Sequence, residues 1–223
     1  FFAAWLRGVS RRPISTHTPY LADSWQNQPP IELYDGDVFK AVTSGLLAHG
    51  CSRPVTSVQG EGKNSQSILK LVDQEVQEKQ QYVQDASPIL YAAIVYSEAV
   101  KTYYRRDDLA KSPLPSLQGA FEIMQRLHMP VEFLGDMDLD LENLKKFAVV
   151  ILPNTAILTQ PQVTAIRQYV KEGGSILSTY ETSLYDELGE RKADFDLSDV
   201  FGLKYAGIND NVLPGSCIAP RGG

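Results

Sequence analysis

Blocks of apolar and polar positions alternate along the first part of the chain and predict strands and helices in turn. Short β-branched runs at 13–18 and 54–58 predict two strands. Each run is followed by apolar residues at helical spacing, at 31–47 and at about 65–82. The second helix ends before Pro88, because proline cannot continue a helix. The pattern therefore predicts two strand–helix units before that residue.

The pattern becomes more regular after Pro88. Four strands are predicted, of which the first and third are almost entirely apolar, as is typical of strands buried on both faces: 91–96, 131–134, 148–153 and 175–180. Helical spacing lies between and after them: 114–127, 140–144, 159–170 and a last turn at 199–203. Because each crossover between parallel strands must pass over the sheet, this alternation predicts an α/β fold with helices on both faces of a parallel sheet.

Composition excludes several classes of protein. The chain has 223 residues, 21 of them Lys or Arg and 27 Asp or Glu, which gives a net charge of −6. An acidic balance argues against nucleic acid or an anionic membrane as the main partner, since both attract basic surfaces. Hydrophobic residues make up 43%, so a folded core is expected. No apolar run reaches the roughly 18 residues of a membrane span.

The cysteine and histidine residues show no pattern typical of a disulfide framework or a metal site. Cys51 and Cys217 cannot build a disulfide framework, and neither belongs to a C-x-x-C pair. His49 and His128 follow predicted helices, where the helix dipole favours a protonated imidazole. We therefore predict no metal site and no cofactor.

The start of the chain suggests its context. Phe1 opens an apolar stretch that contains no Met and lacks the basic-then-apolar build of a signal peptide. We interpret the chain as beginning inside a larger protein, and we expect that protein to be cytoplasmic.

The carboxyl ends of the predicted strands are where an open α/β sheet binds ligands. Glu98 and Glu181 follow the first and fourth strands of the second part, and Asn154 follows the third. The two glutamates are candidates for an acid–base pair. The alternative, which we favour, is that they cap helices or form structural ion pairs with Arg105 or Arg106. No Cys or Ser between glycines follows the fourth strand, as a nucleophile elbow would require.

Four segments in a fixed order resemble a known family. They are Y-A-A-I-V-Y-S-E at 91–98, V-V-I-L-P-N at 149–154, Y-V-K-E-G-G at 169–174 and T-Y-E-T-S-L-Y-D at 179–186. The set resembles the trimerisation domain of bacterial β-galactosidases of glycoside hydrolase family 42, with relatives in the hypothetical glycosyl hydrolase and α-L-fucosidase-like group. The resemblance covers about 89–207, roughly half of the chain.

The resemblance implies a fold and a domain organisation. Residues 88–208 would form a flavodoxin-like domain of the class I glutamine amidotransferase type that has lost its nucleophile and serves assembly. Glu98 and Glu181 would then mark the degenerate amidotransferase-like site. Residues 1–87 would supply the last strand–helix units of a (β/α)₈ barrel, and 209–223 an irregular tail. The implied partner is a second copy of the chain, in a homo-oligomer for which a trimer is the expected state.

The resemblance also implies where a sugar would bind. Retaining glycosidases use two carboxylates on opposite sides of the sugar, and in this family both stand on barrel strands. The strand at 13–18 contains His17 but no Asp or Glu, so this chain alone is expected to be inactive. His17, Trp25 and Glu61 are the barrel residues that could line a carbohydrate site. For Trp25, stacking on a sugar and anchoring a loop are equally good interpretations.

Three functions remain open from the sequence. The first is a fragment of a β-galactosidase-like glycoside hydrolase with a non-catalytic domain for oligomer assembly. The second is a class I amidotransferase-like hydrolytic enzyme that uses Glu98 and Glu181. The third is a carbohydrate-binding module, in which Trp25 would contact the sugar.

Overall fold

The computed structural model describes residues 2–9, 14–20, 36–58, 63–83, 86–104 and 114–207. Within these ranges, α1 to α3 are the helices Phe2–Val9, Gly36–Ala48 and Lys63–Val83, and β1 and β2 are the strands Ile14–Tyr20 and Cys51–Val58. Four strands follow: β3 (Ala92–Tyr96), β4 (Val131–Gly135), β5 (Val149–Pro153) and β6 (Ser175–Thr179). The remaining helices are α4 (Glu98–Tyr103), α5 (Leu114–Arg126), α6 (Leu141–Leu144), α7 (Gln160–Lys171) and α8 (Ser198–Phe201).

The strands form two separate parallel sheets. β1 pairs with β2 in a two-stranded sheet, and the other four strands form a sheet in the order β4-β3-β5-β6. All three pairings in the larger sheet are parallel. The α/β fold with a parallel sheet that the sequence predicts is therefore confirmed. The proposed boundaries at 87 and 208 stay predictions, and the tail at 209–223 lies outside the described residues.

The central strand β3 is buried on both faces. Ala92, Ile94 and Tyr96 point into a core shared with α5, whereas Ala93 and Val95 point into a core shared with α7. Alternate residues of a strand lie on opposite faces, so one apolar run supplies both cores. This arrangement explains why the sequence of β3 contains no polar position.

A pair of glycines after α7 has a packing role that explains the Y-V-K-E-G-G segment. Gly173 has a φ of +99°, a conformation that glycine adopts without strain. A Cβ on Gly174 would lie 2.3 Å from the ring of Tyr169. The hydroxyl of Tyr169 donates to the carbonyl of Phe147, 3.0 Å away. The tyrosine thus ties α7 to the segment that enters β5, and only glycine leaves room for its ring.

Helix α1 packs against the larger sheet. Arg7 forms an ion pair with Glu132 of β4, and its Nε lies 3.2 Å from the carboxylate. A Cβ on Gly8 would meet the backbone oxygen of Phe133 at 2.3 Å, which shows how closely the helix approaches the strand. The ring of Trp5 packs edge-on against Tyr96. These contacts join the first part of the chain to the sheet.

Helix α4 is an element that the sequence pattern after Pro88 does not predict. Its first turn is capped by Ser97, whose hydroxyl accepts from the backbone N–H of Val100. The carboxylate of Asp136, after β4, accepts from the backbone N–H groups of Glu98 and Ala99 at 2.8 and 3.3 Å. A helix this short has little stability of its own. Asp136, in the loop after β4, therefore adds a second cap to the one that Ser97 supplies locally.

His49 follows α2 and packs on α5, with its ring centroid 5.8 Å from that of Phe121. Burial lowers the pKa of His49, and the positive charge of Arg7 lowers it further. The sequence analysis predicts that the helix dipole favours the protonated imidazole, which would raise the pKa of His49. The shift in the structure is in the opposite direction. Burial outweighs the dipole here because desolvation penalises the charged form.

This lowered pKa predicts a pH-dependent stability. Below pH 6.5, the ordinary pKa of His49, the unfolded chain binds more protons than the folded chain, so the free energy of unfolding should decrease as pH falls. We expect His49→Gln to make that decrease shallower in urea denaturation measured at a series of pH values. His128→Asn, which removes an exposed histidine, is the matched control. An unchanged slope in His49→Gln would contradict the assignment.

Candidate functional site

The carboxyl ends of β3, β5 and β6 carry the polar residues that the sequence singles out. Glu98 begins α4 directly after β3, and Asn154 follows β5. Glu181 lies two residues beyond the end of β6. Parallel strands place these ends on one edge of the sheet, so the candidate site is built from three turns.

Glu98 lies in an exposed position. Its side chain is 57% exposed and forms an ion pair with Lys101, one turn further along α4. Hydrogen bonds from the hydroxyl of Tyr96 and from Lys101 lower the pKa of this carboxyl. Burial, together with the hydrogen bond to Glu98, raises the pKa of Tyr96. Glu98 is therefore held ionised at neutral pH, which does not suit a general acid.

Glu181 lies in a contrasting environment, 2% exposed. Its Oε2 accepts hydrogen bonds from the hydroxyls of Tyr104 and Tyr185, the latter at 3.2 Å. The two tyrosine rings pack edge to face, with centroids 5.1 Å apart. Glu181 thus fastens the turn after β6 to the end of α4. A buried carboxylate held by two hydroxyls is a structural arrangement that satisfies polar groups.

The turn after β6 is sharp, yet its hydroxyl groups are engaged. Tyr180 and Ser183 have φ values of 54° and 64°, which non-glycine residues rarely adopt. The hydroxyl of Thr182 has the carbonyls of Leu152 and Thr179 as acceptors for its one proton, at 3.0 and 2.8 Å. The hydroxyl of Ser183 accepts from the backbone N–H of Leu197 at 3.3 Å. The turn is as sharp as a nucleophile elbow, but the hydroxyls of Thr182 and Ser183 form hydrogen bonds with backbone groups.

The predicted sugar-site residues belong to the first part of the chain. His17 lies in β1, opposite Val55 of β2. Trp25 and Glu61 lie outside the described residues. The assignment of all three to a carbohydrate site stays a prediction.

Two residues after β5 form a feature that the sequence alone does not reveal. Asn154 Oδ1 and Thr155 Oγ1 are buried and have no hydrogen-bond partner among the described residues. The sequence signal for these residues is the segment Pro153-Asn154-Thr155 at the end of a predicted strand, but segments of this kind occur in many turns. Only the structure shows that both side chains are enclosed.

The described ranges give two further findings. No cluster of three or more His, Cys, Asp or Glu residues in them is arranged to hold a metal ion. None of the helices described between residues 2 and 207 combines the length and the apolar character that crossing a membrane requires.

Comparison with known proteins gives a likeness in structure alone. No protein-family model and no curated protein matches the sequence. The β-galactosidase of Bacillus circulans sp. alkalophilus is 17% identical and matches with a TM-score of 0.74, over 96% of this chain and 35% of its own. Gan42B, a GH42 β-galactosidase of G. stearothermophilus, is 16% identical and matches at 0.73, over 97% of this chain and 34% of its own.

A third neighbour is more distant. Alpha-L-fucosidase isoenzyme 2 of Paenibacillus thiaminolyticus is 15% identical and matches at 0.57, over 75% of this chain and 25% of its own. The chain spans about a third of the length of the β-galactosidases named above. At this identity the likeness establishes the fold, which is shared along nearly the whole chain.

The two glutamates should respond very differently to substitution. Glu181→Ala leaves two buried tyrosine hydroxyls without their acceptor and should lower the free energy of unfolding by about 2–4 kcal/mol. Glu98→Ala removes an exposed ion pair and the acceptor of the Tyr96 hydroxyl, next to solvent, and should cost about 1 kcal/mol. Urea denaturation of both variants checks this. Equal costs would contradict the structural role of Glu181.

Proposed function

We propose that this chain is a portion of a β-galactosidase-like glycoside hydrolase. In this proposal the last units of a (β/α)₈ barrel lead into an α/β domain that does no chemistry and serves oligomer assembly. The observation that carries it is the likeness to two β-galactosidases over at least 96% of the chain, which includes both sheets. The larger sheet alone would match many unrelated α/β proteins. This likeness also covers the two-stranded sheet that precedes it, in the same order along the chain.

The environment of the strand-end residues supports a non-catalytic role for the second part. Glu98 is ionised and exposed, and Glu181 is enclosed by two tyrosines. The hydroxyls of Thr182 and Ser183 are bonded to the backbone. A hydrolytic mechanism would need a nucleophile next to a base. These contacts disfavour an amidotransferase-like enzyme that uses Glu98 and Glu181.

The surface around β6 supports assembly. In the part of the chain that the structure describes, β6 is an edge strand of the larger sheet. Leu177 of β6, Tyr180 after it and Leu203 after α8 are each more than half exposed, and we call these three residues the β6 edge surface. A groove of about 420 Å³ is lined by Tyr180, Leu203 and Phe201, and by Ile176 and Ser178, which alternate with Leu177 along β6. Exposed apolar residues on an unpaired edge favour association with another chain. We assign this surface to contact with a second copy, in a trimer.

The isolated chain should be inactive as a glycosidase. We expect no release of nitrophenol from nitrophenyl β-galactoside or nitrophenyl α-fucoside by the 223-residue chain. A parent protein that carries the whole barrel should release it from the galactoside, because both carboxylates would then be present. Turnover by the isolated chain, or none by such a parent, would contradict the proposal.

The oligomer should depend on the β6 edge surface. Light scattering coupled to gel filtration should give the mass of a trimer for the chain. Leu177→Lys should shift the mass towards that of a monomer, since a lysine on an edge strand opposes pairing. Ile123→Lys places the same charge at a comparably exposed position on α5 and is the matched control. A monomeric wild type, or an unchanged mass for Leu177→Lys alongside an oligomeric wild type, would refute the assignment.

A further inference from the structure

The turn between α2 and β2 contacts two helices that pack on the larger sheet. The ring of His49 packs against Phe121 of α5, with centroids 5.8 Å apart. A Cβ on Gly50 would lie 2.3 Å from the Cδ of Arg7 in α1. Phe121 and Ala4 of α1 belong to the core that covers one face of β3. The turn therefore contacts α5 directly and the larger sheet through α1.

Arg7 carries the contact from this turn to the sheet. It pairs with Glu132 of β4, and its Nε lies 3.2 Å from the carboxylate. The side chains of Arg7 and Glu132 are 26% and 10% exposed, so both charges are largely removed from water. Gly50 has a φ of +79° and no side chain, which leaves room for the arginine beside the backbone. We call Arg7, His49, Gly50, Phe121 and Glu132 the α2 joint.

One group of the α2 joint changes its charge near neutral pH. The ordinary pKa of His49 is 6.5, whereas an arginine stays charged throughout that range. The charges of Arg7 and Glu132 balance each other. A proton on His49 adds a positive charge near Arg7, and Glu132, the acid of the joint, is already paired. The closed joint is therefore electrically balanced only while His49 is neutral.

The groups around His49 act on its charge in both directions. Burial lowers the pKa of His49 most, and the positive charges of the chain's amino group and Arg7 lower it further. The carbonyls at the end of α2 and the carboxylate of Glu132 favour the protonated ring. Glu122 and Arg126 of α5, which have opposite charges, are both exposed to solvent. The net effect is a lowered pKa, so the folded chain favours the neutral ring.

We propose that the α2 joint is an acid-sensitive contact, which is closed while His49 is neutral and opens locally when His49 binds a proton. Opening separates the turn after α2 from α5 and weakens the hold of α1 on β4. Among the described residues, the core shared with α7 contains no member of the joint and stays packed. The proposal concerns how two parts of the chain are held together, so it does not depend on glycosidase activity.

Proton binding and opening of the joint are linked equilibria. An open joint exposes His49 to water and returns its pKa towards the ordinary value of 6.5. The open form then binds a proton more tightly than the closed form. As pH falls through that range, the opening equilibrium rises, by at most the ratio of the two proton affinities. At higher pH both forms carry a neutral ring, and the joint does not respond to pH.

Hydrogen–deuterium exchange of the 223-residue chain at about pH 7.5 and about pH 5 tests this proposal, with labelling times adjusted for the intrinsic effect of pH. Peptides from α1 and α5 should exchange severalfold faster at the lower pH. Peptides from α7 should not, because that helix lies in the core that stays packed. Faster exchange in α7 as well would indicate global unfolding and would overturn the proposal. Equal exchange of α1 at both values of pH would do the same.

Three variants separate charge from packing. His49→Gln cannot take up a proton and should abolish the pH dependence of exchange in α1. His49→Lys carries a positive charge at neutral pH and should open the joint there as well. His128→Asn removes an exposed histidine and is the matched control. A wild-type pH dependence in His49→Gln, or a closed joint in His49→Lys, would overturn the proposal, whereas the nitrophenyl assay reports on the proposed glycosidase separately.

Discussion

The rest of this structure depends on the burial of both faces of the central strand β3. Its five residues are all buried, and alternate side chains enter two different cores. Such a strand tolerates no polar side chain within its length, because a polar group there would lose water without gaining a partner. The chemistry of the sheet is therefore confined to the turns at its carboxyl ends.

Those turns are held by polar groups that are themselves enclosed. Glu181 accepts from two tyrosines, the Thr182 hydroxyl has two carbonyls as acceptors for its proton, and Asp136 caps α4 from the end of the neighbouring strand β4. A buried carboxylate is costly unless it is hydrogen-bonded, and Glu181 meets that condition. The same rule makes the buried oxygens Asn154 Oδ1 and Thr155 Oγ1 exceptional among the described residues. In a region where the other strand-end groups are paired, two are not.

The contacts between α1 and the larger sheet join the first part of the chain to the second. Gly8 allows the helix to approach the backbone of Phe133, and Arg7 pairs with Glu132. Gly174 plays a similar part beside Tyr169, since a Cβ there would lie 2.3 Å from the ring. In both places the absence of a side chain is what lets two elements pack closely.

The sequence by itself determined the strands and most helices after Pro88, because periodicity and glycine or proline punctuation act over a few neighbouring residues. It also predicted the parallel sheet, since alternation of strand and helix leaves little choice of topology. Only the tertiary structure shows the second cap of α4, because Asp136, which accepts from the first N–H groups of the helix, is distant in sequence. The structure likewise set the environments of Glu98 and Glu181, and it enclosed Asn154 and Thr155. Burial and hydrogen-bond partners are properties of chain segments brought together, and no local pattern records them.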